Sequence, residues 1–195
     1  RLLADRRDRT AIPALEARAR AAHSVVELAF SLANDPYALQ PFRQALVFAS
    51  RDDALLAVSG LARPSEDSPY LVWLRRAWPW LKPRLAAAPG WFAPDAASLP
   101  AEILDGWQEW WPAGLFALPL ARRSGAPLGW LCLLLDAPPP AEAVAALEHL
   151  APTWAYCWEM LAGPDRPGWR DRWQQLDRRR RRWLAIALAA LFLFP

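Results

Sequence analysis

Two pairs of short apolar runs, each pair divided by a polar turn, constrain the fold of this chain more than any other feature of its sequence. The first pair, residues 45–48 and 55–58, flanks a turn at residues 51–53. The second pair, residues 114–120 and 128–135, flanks another polar turn. This spacing is typical of β-hairpins, and runs that are apolar almost throughout are typical of strands covered on both faces. Two separate hairpins predict an antiparallel sheet.

Helical patterns fill most of the remaining chain, because apolar residues there recur at spacings of three and four. Pro79 and Pro83 are expected to end the second helix, since proline cannot donate a backbone hydrogen bond inside a helix. Residues 83–100 are expected to form a long loop. The predicted helices are residues 13–33, 68–78, 101–111 and 141–161. The order helix, hairpin, helix, loop, hairpin, helix predicts an α+β fold, an antiparallel sheet flanked by helices.

The length and apolar content of the chain predict one domain. With 195 residues, 54% of them hydrophobic, there is enough chain for one domain with a core. Residues 1–13 are assigned to an N-terminal tail and residues 14–163 to the domain. The turn-forming stretch 163–168 marks its boundary. A basic linker, residues 164–182, and the start of a transmembrane helix, residues 183–195, are expected to follow.

The end of the basic linker predicts a membrane anchor. Five consecutive arginines precede a stretch, residues 183–194, that has no polar side chain and no amphipathic face. A spanning helix needs about 20 apolar residues, so this stretch is interpreted as the beginning of one, and the positive-inside rule places residues 1–182 in the cytoplasm. An apolar helix packed on another part of the protein is the alternative. The predicted anchor residues are Arg178, Arg179, Arg180, Arg181, Arg182 and Trp183.

The same cluster argues against nucleic acid as a partner. Of the 23 basic residues only Lys82 is a lysine, and the densest basic cluster directly abuts the apolar stretch. Nucleic-acid binding requires basic residues spread over a face, so the membrane explains the cluster better.

The residues that could perform chemistry are few and scattered. His23 and His149 lie alone among apolar residues of predicted helices, and the sequence contains no GxSxG, GxGxxG or GxxxxGK[ST] motif. Cys132 and Cys157 belong to no CxxC pair and are expected to be reduced core thiols. The carboxylates of residues 52–53 are interpreted as solvated charges of a turn. We therefore predict no catalytic residue, no metal and no cofactor.

Thirteen tryptophans form the second unusual feature of the composition. Several fall in the predicted sheet region, and two lie one turn apart on the last helix. They could line a ligand pocket or an interface, or they could fill the core, and the sequence leaves both alternatives open. The candidates for a pocket or interface are Trp107, Trp111, Trp130, Trp154 and Trp158.

Three segments, residues 54–64, 116–120 and 127–136, resemble the strands of GAF-like domains. In particular, they are similar to GAF-like domains at the cytoplasmic N-terminus of bacterial HlyD-type membrane-fusion proteins, the periplasmic adaptors. The helix expected at residues 68–80 and the step from arginines into an apolar helix match the layout of that family. The RxxD motif with which some related domains bind a cyclic dinucleotide is absent, although Arg122 and Arg123 could contact a phosphate.

The resemblance implies a non-catalytic regulatory or scaffolding domain at the bacterial inner membrane. It also implies a homo-oligomer, with an inner-membrane transporter and an outer-membrane channel of an efflux or secretion system as further partners. A ligand-sensing domain of a membrane-tethered signalling protein is the main alternative, and a soluble enzyme with an apolar C-terminal helix is a third.

Overall fold

The structure is a computed structural model, and it describes residues 2–61, 67–111 and 113–163. The basic linker and the predicted transmembrane helix, residues 164–195, lie outside these ranges. No helix within the described ranges is long and apolar enough to cross a bilayer.

One antiparallel sheet of five strands lies at the centre of the described residues, in the order β2-β1-β5-β4-β3. The strands are β1 (Gln44–Ala49), β2 (Leu55–Val58), β3 (Gly90–Phe92), β4 (Gly114–Ala121) and β5 (Pro127–Leu135). Both predicted hairpins are present, β1 with β2 and β4 with β5. The pairing of β1 with β5, in which Leu46 faces Cys132, joins them into one sheet.

Helices cover both faces of the sheet. They are α1 (Leu2–Ala21), α2 (Val25–Asn34), α3 (Pro69–Ala87), α4 (Ala101–Trp110) and α5 (Ala141–Ala162). Side chains of β5 alternate between two apolar clusters: Leu131 and Leu133 pack with α1, α2 and α5, while Cys132 and Leu134 pack with α3 and α4. Because successive side chains of a strand point to opposite faces, β5 is buried on both sides. The α+β fold with helices flanking an antiparallel sheet is confirmed.

The first predicted helix is two helices, and the prediction of a single helix over residues 13–33 was wrong. Helix α2 has its own N-cap: Ser24 Oγ accepts the Glu27 N–H at 3.1 Å, and Glu27 Oε2 accepts the His23 N–H at 2.9 Å. This reciprocal arrangement satisfies donors that the start of a helix leaves unpaired. The apolar spacing continues across the break because both helices pack on the same core. Helix α1 also begins at Leu2, within the stretch assigned to a tail.

Pro79 and Pro83 do not end α3, which continues to Ala87. A proline inside a helix removes one hydrogen bond and crowds the preceding turn. The helix continues because Leu81 and Leu85, which flank Pro83, are fully buried beneath it. Burial of each leucine is worth roughly 1.5–3 kcal/mol, which offsets the local cost.

The loop predicted at residues 83–100 contains the edge strand β3. Its three residues pair with β4, with Gly90 opposite Ala117 and Phe92 opposite Leu115. Gly90 has a φ of 108°, a conformation that favours glycine, and it lets the chain turn from α3 into the strand. A strand of three residues is too short to show alternation, which is why the sequence pattern missed it.

Candidate functional site

The five candidate tryptophans do not meet at one site, because the sheet separates them. Trp107, Trp111 and Trp130 lie on the face covered by α3 and α4, whereas Trp154 and Trp158 lie on the face covered by α5. None of the five is more than 7% exposed. Their place in the structure is the core, the second of the two roles that the sequence left open.

An aromatic cluster fills the space between α3 and α4. The Trp73 ring lies 5.0 Å from that of Trp111, and Trp107 lies 4.9 Å from Trp111, both edge to face. The Trp73 indole N–H donates to the carbonyl oxygen of Ile103 at 3.1 Å. A Cβ at Gly106 would overlap with the Trp73 indole, so only glycine allows this approach of α4 to α3. The aromatic cluster is therefore defined as Tyr70, Trp73, Phe92, Trp107, Trp110 and Trp111.

A cleft of about 580 Å³ opens on the other side of α3, between that helix and the β1–β2 turn. This volume is within the range of small-molecule sites in proteins. Its lining comes from the end of β1, the turn, the start of β2 and the first half of α3. The lining residues are Phe48, Asp52, Asp53, Ala54, Leu55, Leu71, Leu74, Arg75, Trp78 and Pro79.

The floor of the cleft is apolar and buried. The rings of Phe48 and Trp78 stack in parallel with centroids 3.7 Å apart and an interplanar angle of 7°. Leu71 and Leu74, one helical turn apart on α3, are buried beside them. All four side chains are at most 7% exposed, so the apolar surface that a ligand can reach lies on the walls, at Ala54, Leu55 and Pro79.

One carboxylate of the turn is tied to α3. Asp53 Oδ1 accepts from Lys82 Nζ at 2.5 Å and from the Trp78 indole N–H at 3.3 Å. Lys82 Nζ also donates to the carbonyl oxygen of Ser50 at 3.4 Å. Asp53 has a φ of 58°, in the left-handed region that aspartate tolerates better than most residues. These bonds fix the position of the turn relative to the helix and so set the width of the cleft.

The neighbouring carboxylate is differently placed. Asp52 Oδ1 accepts the N–H of Ala54 at 3.2 Å, which shapes the turn, and the side chain is exposed at the rim of the cleft. From the sequence, Asp52 and Asp53 are both expected to be solvated charges of a turn. In the structure, Asp53 is paired with Lys82, whereas Asp52 is exposed at the mouth of the cleft.

The other titratable residues singled out from the sequence are not part of the cleft. Cys132 and Cys157 are buried free thiols, and burial raises the pKa of each. His23, between α1 and α2, and His149, on α5, are both exposed and lie away from the cleft. Across the described ranges, no three metal-ligating side chains come together. Arg122, which could contact a phosphate according to the sequence, donates from Nη1 to Glu159 Oε1 at 3.1 Å, and its side chain is only 11% exposed.

Among the described residues, Tyr70 in the aromatic cluster also has a shifted pKa. Its hydroxyl donates to Gln44 Oε1 and accepts from the Trp111 indole N–H at 3.2 Å. Burial raises the pKa of Tyr70 to about 12, partly opposed by the bond from Trp111. The hydroxyl is therefore neutral at physiological pH and has a structural role.

The architecture is shared with solved structures of other proteins. No protein-family model matches the chain, and no curated protein matches it. A solved structure of the N-acylhomoserine lactone dependent LuxR family transcription factor CepR2 from Burkholderia cenocepacia matches with a TM-score of 0.51 and 16% identity, over 77% of this chain and 93% of that one. The phytochrome photosensory core module of Stigmatella aurantiaca matches with a TM-score of 0.53 and 15% identity, over 86% of this chain. The fold is GAF-like.

The chromophore-binding domain of Stigmatella aurantiaca phytochrome P1 matches in the same way, with a TM-score of 0.50 and 15% identity over 76% of this chain. The chain spans 39% of the photosensory module and 59% of the chromophore-binding domain. At these identities the likeness shows the fold alone. It agrees with the GAF-like fold that the resemblance implied for residues 14–163, and the adaptor context remains a prediction.

Proposed function

We propose that this domain is a sensor that binds a small, largely apolar molecule in the cleft between α3 and the β1–β2 turn. The observation that carries the proposal is a cleft with apolar walls at Ala54, Leu55 and Pro79 beside a charged rim, the combination of apolar surface and a few polar groups that small-molecule sites share. Solved structures of similar fold belong to a protein described as N-acylhomoserine lactone dependent and to one described as chromophore-binding, which supports a ligand-binding role.

Ligand binding at this cleft would act on the contact between the turn and α3. A ligand shifts a conformational equilibrium only by its differential affinity for the two states. In this cleft, the contact that would differ between the two states is the ion pair of Asp53 and Lys82, which joins the two walls. A ligand that packs between Leu55 and Pro79, one from each wall, stabilises one spacing of turn and helix over the alternatives, and that spacing is the signal.

A thermal-shift experiment with a matched pair of variants tests the site. The full chain is screened against a panel of neutral, drug-sized apolar molecules. A ligand at about ten times its Kd raises Tm by roughly 3–5 °C. Ala54→Phe fills the cleft and should abolish the rise, whereas Ala145→Phe, at an exposed position of α5, should leave it intact. If no ligand gives a rise that depends on Ala54, the cleft is not a binding site.

The second part of the proposal concerns the setting of the sensor. We propose that residues 178–183 tether it to a bacterial inner membrane on the cytoplasmic side, because a run of arginines precedes an apolar stretch. Of the two settings that the sequence suggested, the sensory neighbours favour a membrane-tethered signalling protein. An adaptor of an efflux or secretion system, with its transporter and channel partners, is the other. Fractionation distinguishes a tether: Leu188→Arg with Leu191→Arg should release the chain into the soluble fraction.

We also propose self-association of this domain as part of the sensor. Large apolar side chains are exposed on two helices of the same face: Val26 and Phe30 on α2, and Tyr156 and Met160 on α5, with Tyr156 64% exposed. Exposed apolar residues one turn apart on a helix are a common basis for a homo-oligomer. Light scattering of Tyr156→Glu with Met160→Glu should show a smaller species than the unmodified chain, and an unchanged mass would contradict this part.

A further inference from the structure

The charges around the cleft point to the chemical class of its ligand, an inference that rests on the proposed function. Three charged residues belong to the lining: Asp52, Asp53 and Arg75. Asp53 is paired with Lys82, and Arg75 is already engaged in an interaction of its own. For Asp52, the interactions within the described part of the chain amount to one hydrogen bond, from the N–H of Ala54 to Oδ1.

We propose that the cleft takes a cationic amphiphile, a molecule with an apolar body and a single ammonium or amidinium group, and that the Asp52 carboxylate accepts that group. Asp52 lines the cleft together with Ala54 and Leu55, which follow it in the chain within three residues. A ligand whose apolar body rests on Ala54 and Leu55 therefore has its polar end at the rim beside Asp52. A carboxylate with only one of its oxygens bonded retains acceptors for a cationic donor there.

The placement of Asp52 sets the size of the effect. The carboxylate is exposed, so its attraction for a cation is screened by water and salt and amounts to what a surface ion pair supplies. The apolar walls supply most of the affinity, while Asp52 supplies selectivity. A cation should bind more tightly than a neutral molecule of the same shape, and an anion should not gain, because Asp52 repels it.

Three probes with one apolar body and a side chain of similar length test the inference by calorimetry on the full chain: indole-3-ethanol, which is neutral, tryptamine, which is cationic, and indole-3-propionate, which is anionic. Tryptamine should bind up to about fivefold more tightly than indole-3-ethanol, the upper end for an exposed ion pair. The preference should fade in 1 M salt, where the Debye length falls to about 3 Å. Binding of indole-3-ethanol itself should not weaken with salt.

Asp52→Asn provides the decisive variant, because an asparagine carbonyl still accepts the Ala54 N–H and preserves the turn. It should leave indole-3-ethanol binding unchanged and remove the preference for tryptamine. The control is Glu148→Gln, which removes the same charge from an exposed site on α5, on the opposite face of the sheet, and should keep the preference. Equal affinity for the three probes, or a preference that survives Asp52→Asn, overturns this inference and leaves the proposed function standing. Failure of all three to bind counts against the proposed function itself.

Discussion

The two sides of α3 are built from similar residues and differ in what covers them. Toward α4, Trp73 packs against three other aromatic rings, and Gly106 lets the second helix approach closely. Toward the β1–β2 turn, Trp78 stacks on one ring, Phe48, and the rest of the surface borders the cleft. A helix covers the first side, and a short turn held by Asp53 covers the second. The difference shows that a cleft can remain open where only a short turn covers a helix, although the residues beneath the turn are as apolar as those on the closed side.

Tryptophan truncation on the two sides should give the largest and most direct contrast. Trp73→Ala should cost about 5 kcal/mol of unfolding free energy, because it leaves a closed cavity in the aromatic cluster and removes the indole hydrogen bond to the Ile103 carbonyl. Trp78→Ala should cost about 3 kcal/mol, since its space merges with a cleft that water already enters. Urea unfolding measures both. A larger loss for Trp78→Ala would contradict the comparison.

Gly106→Ala tests how tightly the aromatic side is packed. The added methyl group overlaps with the Trp73 indole, so a loss of about 1–3 kcal/mol is expected although alanine is the better helix former. In a Trp73→Ala background the same change should be neutral or stabilising by up to about 1 kcal/mol. Should Gly106→Ala stabilise the unmodified chain, the close approach of the helices would be refuted.

Tyr70→Phe gives a pH signature of the aromatic side. The pKa of Tyr70 is about 12 in the folded state and about 10 when unfolded. The contribution of Tyr70 to the free energy of unfolding is therefore complete below pH 10 and is lost as the pH rises to 12. The variant should lose about 1 kcal/mol at pH 7 through its two hydrogen bonds. From pH 10 to 12 it should lose stability less steeply than the unmodified chain. Parallel curves for the two proteins would reject the assignment.

Asp53→Asn should give the smallest change in unfolding free energy, and it tests the ion pair that holds the β1–β2 turn on α3. The pair with Lys82 is partly exposed, so its loss should cost about 0.2–1 kcal/mol, and the difference should vanish at high salt. A double-mutant cycle with Lys82→Gln isolates the pair. A coupling energy of zero at low salt would mean that this ion pair does not hold the turn on α3.

The hairpins could be predicted because their information is local: apolar runs at residues 45–58 and 114–135 lie next to their own turns. The extent of α3 could not, because burial of Leu81 and Leu85 outweighs Pro83 only once the sheet is in place. The break at Ser24 depends on its bond to Glu27, which local spacing does not reveal.

The candidate site was harder to predict than the fold. Phe48 and Trp78 lie in different elements, and nothing in either sequence context indicates that their rings stack. Tryptophan is unusually frequent in this sequence, yet the five candidate tryptophans lie in two separate parts of the core. One signal was present: Asp52 and Asp53 follow a strand whose every residue is apolar from Ala45 to Phe48, so charge meets apolar surface at that turn.

Methyl-resolved NMR of the full chain titrated with indole measures most directly whether the cleft is the binding site. Leu55, Leu71 and Leu74 border the cleft, while Ile103 and Leu115 lie in the same apolar cluster away from it. We expect saturable shifts of the methyl groups of the first three residues, with those of Ile103 and Leu115 unmoved. Shifts confined to Ile103 and Leu115, or the absence of any saturable shift at the three leucines, would contradict a sensor that binds its ligand between α3 and the β1–β2 turn.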